Sequence, residues 1–329
     1  MPTTQQSMRR LVKHEGYGNF LFEEVPVPSP ETNQVLVKTH TSLISRGSEI
    51  LARYRNEGTV SPSIMGYSVA GTVVEAGEAA RQAGYGPGDR VFVSAPHAEF
   101  VLSATGDDSR LLKVPESMSW SHIPFLALAR GGVAWAIASD ANPNDTVVVL
   151  GQGLVGNLVM QSHRARGAGR IIAVDSLDIR VRISGESGAE VVIHGGQVDA
   201  VAEVKRLTDG KGADVVVDCV GGPPGVQSFQ HALDMVKTLG TVHLVGLYHG
   251  QPLALDSSKI QRKKLIGGYY LTEPLGPLSV HAAELIVSGQ MKVEPMITHR
   301  FPAASAPEAF ALLDQHPEQA LGVLLEWQQ

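Results

Sequence analysis

Three glycines and one aspartate make the strongest chemical pattern in the chain. Gly151, Gly153 and Gly156 form G-x-G-x-x-G inside DTVVVLGQGLVGNLVMQSHRARGAGRIIAVD, and Asp175 closes the segment. A glycine-rich chain matches such a motif by chance, so its setting decides. Here it follows a continuous apolar run, opens an apolar helix at Leu154 and Val155, and leads to a second apolar run that ends in an acid. That context specifies a dinucleotide site. The first glycine permits a tight turn, the second lets backbone approach a pyrophosphate, and the third lets the helix pack close to the sheet. N–H groups at the helix start then hold the phosphates. Asp175 can accept both ribose hydroxyls of NAD and repels the 2′-phosphate of NADP, so NAD is the expected cofactor. Arg180 is placed to lie over the adenine. An arginine also accommodates a phosphate, so Arg170, Arg180 and Arg182 keep NADP open.

Two later loops fit the same site. Cys219-Val220-Gly221-Gly222 and Val245-Gly246-Leu247 each follow an apolar run. In an open α/β sheet the ligand lies outside the carboxyl ends of such strands. Gly221, Val245 and Leu247 are expected to meet the nicotinamide side through backbone groups; ordinary turn glycines are the alternative. No base adjoins Cys219, so inert packing is its expected role.

The elements that position these residues change character along the chain. Residues 1–125 read as short strands broken by turns, such as VLVKTHTSLI and VAGTVVEAG, with a helical signal only around 48–56. From 126 to 270, apolar runs alternate with helical patterns at the spacing of a doubly wound parallel sheet. QSFQHALDMVKTLG (227–240) reads as a helix capped by Gly240. The remainder, 271–329, reads as helix, strand, helix, strand. The expected class is therefore α/β, a mostly β domain joined to a parallel-sheet domain. At 329 residues and 43% hydrophobic, the chain can fill two cores.

Composition narrows the partners. Net charge is −6 with no basic block, which argues against nucleic acid. The longest apolar runs are strand-sized, so no membrane span is expected. One cysteine among 329 residues rules out a disulfide within the chain and suits a reducing compartment. With no apolar leader, a cytoplasmic location is expected.

Landmarks spread over the chain resemble the medium-chain dehydrogenase/reductases, the family that includes zinc alcohol dehydrogenases. They are VLVKTHTSLISRGSE, MGYSVAGTVVEAG, GPGDRVFV, the Gly151 region, ADVVVDCVG, GTVHLVG and ITHRFP, in that order. The resemblance implies a GroES-like catalytic domain (1–125), a Rossmann NAD-binding domain (126–270), a return to the catalytic domain (271–329), a cleft between the two, and a homodimer. The departures concern metal. Where zinc members carry a ligand cysteine, this chain has Arg46; where they carry Gly-His-Glu, it has Gly66-Tyr67-Ser68. The third cysteine is missing from PFLALARGG, and so is the four-cysteine structural lobe. No metal is expected. The pattern is similar to a zinc-free branch that includes bacteriochlorophyllide dehydrogenases and enzymes of sugar, cyclitol and secondary metabolism.

Without zinc, side chains must move the hydroxyl proton and stabilise the developing alkoxide. Ser48 matches the family hydroxyl that bonds substrate. Tyr67 stands at a lost ligand position and is expected to face the cleft, donating to a ketone oxygen, or acting as base if Arg46 or another cation lowers its pKa. His97 is expected at the cleft edge as base or relay. Arg46 can bind substrate anions. Glu49 either touches substrate or braces the loop, and Tyr270 is a candidate for the pocket wall, with Tyr269, His249 and His299 behind it. The reading is a zinc-independent, NAD-dependent oxidoreductase of a polar secondary alcohol or ketone. Alternatives are an NADPH-dependent quinone or enoyl reductase, a redox-neutral isomerase or epimerase that retains NAD, and a non-catalytic NAD-binding protein.

Overall fold

The computed structural model describes residues 6–248, 250, 252–269, 271 and 274–327. Two compact units form. The first comprises residues 1–127, 274–287 and 297–329, and the second 128–273 and 288–296.

The first unit begins with a hairpin, β1 (Ser7–Lys13) and β2 (Phe20–Pro26). Strands β3 (Gln34–Ile44), β4 (Val69–Ala76), β5 (Arg90–Val93), β6 (Phe100–Ala104) and β7 (Leu111–Lys113) follow, with the short helix α1 (Glu78–Gln82) after β4. Between β3 and β4 the chain forms a π-helix, Arg46–Tyr54, where the sequence suggests only a helical signal.

The second unit opens with α2 (Leu126–Ser139) and then alternates: β8 (Thr146–Leu150), α3 (Leu154–Ala165), β9 (Arg170–Asp175), α4 (Asp178–Glu186), β10 (Val191–His194), α5 (Ala200–Leu207), β11 (Ala213–Asp218), α6 (Pro224–Met235), β12 (Val236–Leu244) and β13 (Lys264–Gly267). All six strands are parallel, in the order β10-β9-β8-β11-β12-β13. This is the Rossmann order, and the chain reverses direction between β8 and β11. The apolar runs are unbroken because both sheet faces are covered. Val148, Leu150, Ile172, Val174 and Val216 bury on one side with Phe229 and Leu233 of α6. Val147, Val149, Ile171, Val215 and Val217 bury on the other with Trp135 and Met160.

The expected helix over 227–240 is corrected. It stops at Met235, and Val236 already has strand dihedrals. Residues 237–240 bulge from β12, whose register on β11 jumps from Val236 to Thr241. Gly240 is no helix cap. A side chain there would meet Val236 Cγ2 at 2.6 Å and the Asp214 carbonyl at 2.8 Å.

The tail adds α7 (Leu275–Val287), β14 (Ile297–Pro302), α8 (Ala306–Gln315) and β15 (Gly322–Glu326). β15 pairs antiparallel with β3, and β14 runs parallel to β15, completing the mixed sheet of the first unit. Residues 288–296, read from sequence with the first domain, lie in the second unit. Gln161 of α3 explains why. Its Nε2 donates to the Lys292 carbonyl (2.9 Å), and its Oε1 accepts the Lys292 N–H (2.6 Å). A buried amide thus pairs with passing backbone as a strand would.

His163, also on α3, is buried with no acceptor or donor for Nε2 among the described residues. Burial first, then the charges of Arg166 and His243, push its pKa down to about 3. The folded pKa lies below the unfolded one near 6.5, so the neutral ring's contribution is complete above pH 6.5 and is lost as pH falls towards 3. A His163→Leu variant should therefore melt less steeply with acidification from about pH 7 to about pH 4 than the native chain. Parallel melting curves for the two proteins would refute that origin of acid sensitivity.

Candidate active site

The polar site of the first unit grows from the π-helix. Ser45 precedes it in extended conformation. Glu49 reaches back, and its Oε2 accepts the Ser45 N–H at 2.7 Å. At the far end, Tyr54 lies against Phe310 of α8 and edge-on to Phe20. π-turns of this kind recur at functional sites, because the wider turn re-aims side chains.

Tyr67 is brought to the same place by Gly66. That glycine has φ +105°, and a side chain on it would lie 2.7 Å from the His97 ring. The Tyr67 phenol is partly buried and lies beside the side chains of Ser45 and Ser48. Burial, then the nearby Glu49 charge, push its pKa up to about 12; the two serines and Arg53 pull the other way without prevailing. Of the two roles open to the phenol, donor or base, the raised pKa fits the donor, and the cation acting on it is Arg53 rather than Arg46. At neutral pH Tyr67 is a neutral donor. Arg46 instead turns towards α8, where its Nε donates to the Leu313 carbonyl at 3.1 Å.

His97 is not at an open edge, as expected from sequence, but fully buried. Its Nε2 lies 2.7 Å from Glu49 Oε1 and its Nδ1 2.8 Å from Ser42 Oγ. Ser42 Oγ also accepts the Trp327 indole N–H at 2.8 Å. A carboxylate only accepts, so Nε2 donates to Glu49, while Nδ1 faces the Ser42 hydroxyl. Both ring nitrogens are committed. Glu49 is equally buried, with both oxygens taken, so it braces the loop. His97 and Glu49 hold Ser45 at the start of the π-helix.

In the second unit the nucleotide motif meets its geometric demands. Gly151 has φ +81°, and a side chain there would strike Val220 Cγ2 at 2.7 Å. A Cβ on Gly156 would sit 1.7 Å from the Gly151 carbonyl oxygen. Gly153, the N-cap of α3, has nothing within 4 Å of its would-be Cβ, so space opens before the N–H groups of Leu154 and Val155. A pyrophosphate fits such a cradle. Asp175 ties the loop down: its Oδ2 accepts the Gln152 N–H (2.7 Å), and its Oδ1 those of Ser176 and Leu177 (2.8 and 3.0 Å). Arg180 Nη1 stands 3.5 Å from Asp175, and Arg180 Nε is buried without a partner among the described residues.

The loops after β11 and β12 meet beside this motif. The Gly222 N–H donates to the Leu247 carbonyl at 2.9 Å. A Cβ on Gly221 would approach that same oxygen at 3.3 Å, and one on Gly246 the Val220 carbonyl at 2.3 Å. The Val245 and Gly246 N–H groups both reach the Asp218 carbonyl. The Asp218 side chain, read only as part of a strand, organises the corner. It accepts from Ser228 and Tyr248 hydroxyls at 2.7 Å each and from the Val220 N–H at 3.1 Å. Burial raises its pKa despite those bonds. Burial and the Asp218 charge also push the Cys219 thiol well up, which suits the inert role expected of it. Tyr269 stacks on Trp135 at 4.8 Å. Tyr270 and His249 lie outside the described residues. Among the described residues, no group of three or more His, Cys, Asp or Glu side chains is placed to hold a metal, and no helix is long and apolar enough to cross a membrane.

Two units of this kind, a GroES-like mixed-sheet unit and a Rossmann unit, define the medium-chain dehydrogenase/reductase fold. Comparison with known proteins agrees. Residues 155–274 match the family model described as zinc-binding dehydrogenase. L-threonine 3-dehydrogenase of Pyrococcus horikoshii is 29% identical over 331 residues, 91% of this chain and 92% of that one. An oxidoreductase/dehydrogenase of unknown specificity involved in membrane biogenesis, from Escherichia coli, superposes with TM-score 0.86 at 21% identity, covering 98% and 100% of the two chains. An alcohol dehydrogenase from Escherichia coli CFT073, solved with NADH, superposes with TM-score 0.83 at 18% identity over 98% and 99%. The chain has an NAD(P)-binding oxidoreductase fold resembling alcohol and sugar dehydrogenases.

Proposed function

We propose that the protein is a zinc-independent, NAD-dependent dehydrogenase that interconverts a polar secondary alcohol and its ketone. The observation that carries this reading is the Tyr67 phenol, held neutral between Ser45 and Ser48 where zinc relatives place a metal ligand. NAD, when bound, supplies the hydride acceptor or donor. Gly151, Gly153, Leu154, Val155 and Gly156 would hold its pyrophosphate and Asp175 its ribose. The loops at Cys219, Val220 and Gly221 and at Val245, Gly246 and Leu247 would face the nicotinamide end.

Proton handling falls to the first unit. In the reductive direction negative charge builds on the ketone oxygen, and a neutral phenol there gives up its proton as the charge develops. Ser48 donates to the phenolate that results and so stabilises it. In oxidation the same steps run backwards: Tyr67, having released its own proton to solvent and held as phenolate by the Ser48 hydroxyl, takes the proton of the alcohol. Glu49 and His97 keep both hydroxyls in place without touching substrate.

NAD preference is read from Asp175, whose charge is held at the end of β9 and engages Arg180. The test is NADH formation across a panel of secondary alcohols, with the ratio of kcat/KM for NAD and NADP measured in the native chain and in Asp175→Ala. Alanine also releases three backbone N–H groups, which weakens both cofactors alike. Only the charge changes their ratio. That ratio should fall by about tenfold or more towards NADP. An unchanged ratio sinks the ribose role, and NADPH preference in the native chain sinks the cofactor assignment.

A further inference from the structure

We propose that Arg53 binds an oxyanion on the substrate, a carboxylate or phosphate ester carried close to the reacting carbon; this rests on the dehydrogenase reading above. The residue lies on the π-helix five positions after Ser48. In a helix bonded from i to i+5, residues five apart fall on successive turns, so Arg53 follows Ser48 on one side of the helix. Its Nη1 is buried and meets no acceptor among the described residues. A buried donor left without an acceptor is unfavourable, and more so when it belongs to a charged group.

Nearby acids do not relieve it. Glu49, one turn earlier, has both oxygens committed to His97 and to the Ser45 N–H. Asp314 is taken by Arg55 Nε at 2.6 Å. The other arginines of the segment thus have protein acceptors, Arg46 at Leu313 and Arg55 at Asp314. The charge of Arg53 also reaches the Tyr67 phenol, whose ionisation it favours. An anion held on this guanidinium would therefore place its neighbouring carbinol within range of the hydroxyls of Tyr67 and Ser48. A neutral hydroxyl could accept one bond from Nη1 but would leave the charge uncompensated. A carboxylate or phosphate matches both the fork and its charge.

The test titrates four probes into the NAD-loaded protein by calorimetry: 3-hydroxybutyrate and glycerol 3-phosphate, with 2-butanol and glycerol as neutral counterparts. At least one anionic probe should bind more tightly than its neutral counterpart, and Arg53→Gln should weaken it by about tenfold or more. Arg53→Lys, which keeps the charge, should recover part of that loss and serves if the glutamine variant does not fold. NAD affinity should match the native chain in both variants. Equal affinity for charged and neutral probes, no binding by either anion, or anion binding indifferent to Arg53, each overturns the proposal. NADH formation is followed separately. Arg53-dependent anion binding without NADH from any probe would sink the dehydrogenase reading and leave this one standing. NADH formed from any probe, with anion binding indifferent to Arg53, would do the reverse.

Discussion

Tyr67→Phe should lower turnover by about a hundredfold or more at saturating substrate, the usual range for losing a positioned acid, while NAD affinity stays within about twofold. The substitution removes one oxygen from a partly buried site and leaves the ring that Gly66 positions. Ser45 and Ser48 then lose a common neighbour. Cofactor binding has no reason to change, because the cradle at Gly151–Gly156 is built from the other unit. The pH dependence should be informative too. With a pKa pushed up to about 12, the phenol stays protonated throughout the neutral and mildly alkaline range, so its titration contributes no loss of ketone reduction between about pH 6 and about pH 9. Steady-state reduction of an active ketone by the native chain and the Tyr67→Phe variant over that range checks both statements. Equal kcat values would remove Tyr67 as the acid. A native rate that collapses with an apparent pKa near neutrality, absent in Tyr67→Phe, would show that the phenol is not held neutral.

The dinucleotide motif was legible in the sequence because its constraints are local. A strand, a glycine turn and a helix start lie within one short segment, and each glycine answers to a neighbour only a few residues away or across one strand. Gly156 packs on Gly151, and Asp175 holds Gln152. The polar cluster of the first unit was harder for a physical reason. His97 is buried because Gly66 leaves room for its ring, and Ser42 and Trp327 close the far side from opposite ends of the chain. No spacing rule connects those residues. Arg53 was missed through helix type. Read at about 100° per residue, it points about 140° away from Ser48, whereas the π-helix returns it to the same side. The stretch 227–240 misled for a related reason: its apolar spacing suits a helix throughout, but the register jump on β11 claims Val236 for the sheet. The contact between Glu49 and His97 could have been suspected from two polar residues set among apolar neighbours, yet only the fold shows that it spends both groups on holding Ser45.

Gly156→Ala and Gly153→Ala should separate two roles that a glycine motif combines. At Gly156 the added methyl would lie 1.7 Å from the carbonyl oxygen of Gly151 and 3.2 Å from Cys219 Cβ. The first contact is with backbone, so no side-chain rotation relieves it, and the turn or α3 must move. Such overpacking costs about 1–3 kcal/mol even where the surroundings yield, and the movement disorders the N–H cradle itself. The Gly156 variant should therefore lose several degrees of melting temperature and bind NAD about a hundredfold more weakly. At Gly153 the outcome should divide. The residue has φ −64° and ψ −174°, a conformation open to alanine, and its methyl would meet nothing within 4 Å. The unliganded protein should melt as the native chain does. The open space is nevertheless where the pyrophosphate must approach, so NAD affinity should still fall by about tenfold or more. Melting curves without cofactor and calorimetric titration of NAD decide between the outcomes. A Gly153→Ala chain that binds NAD as tightly as the native one would place the phosphates elsewhere, and with them the ribose that Asp175 is expected to hold.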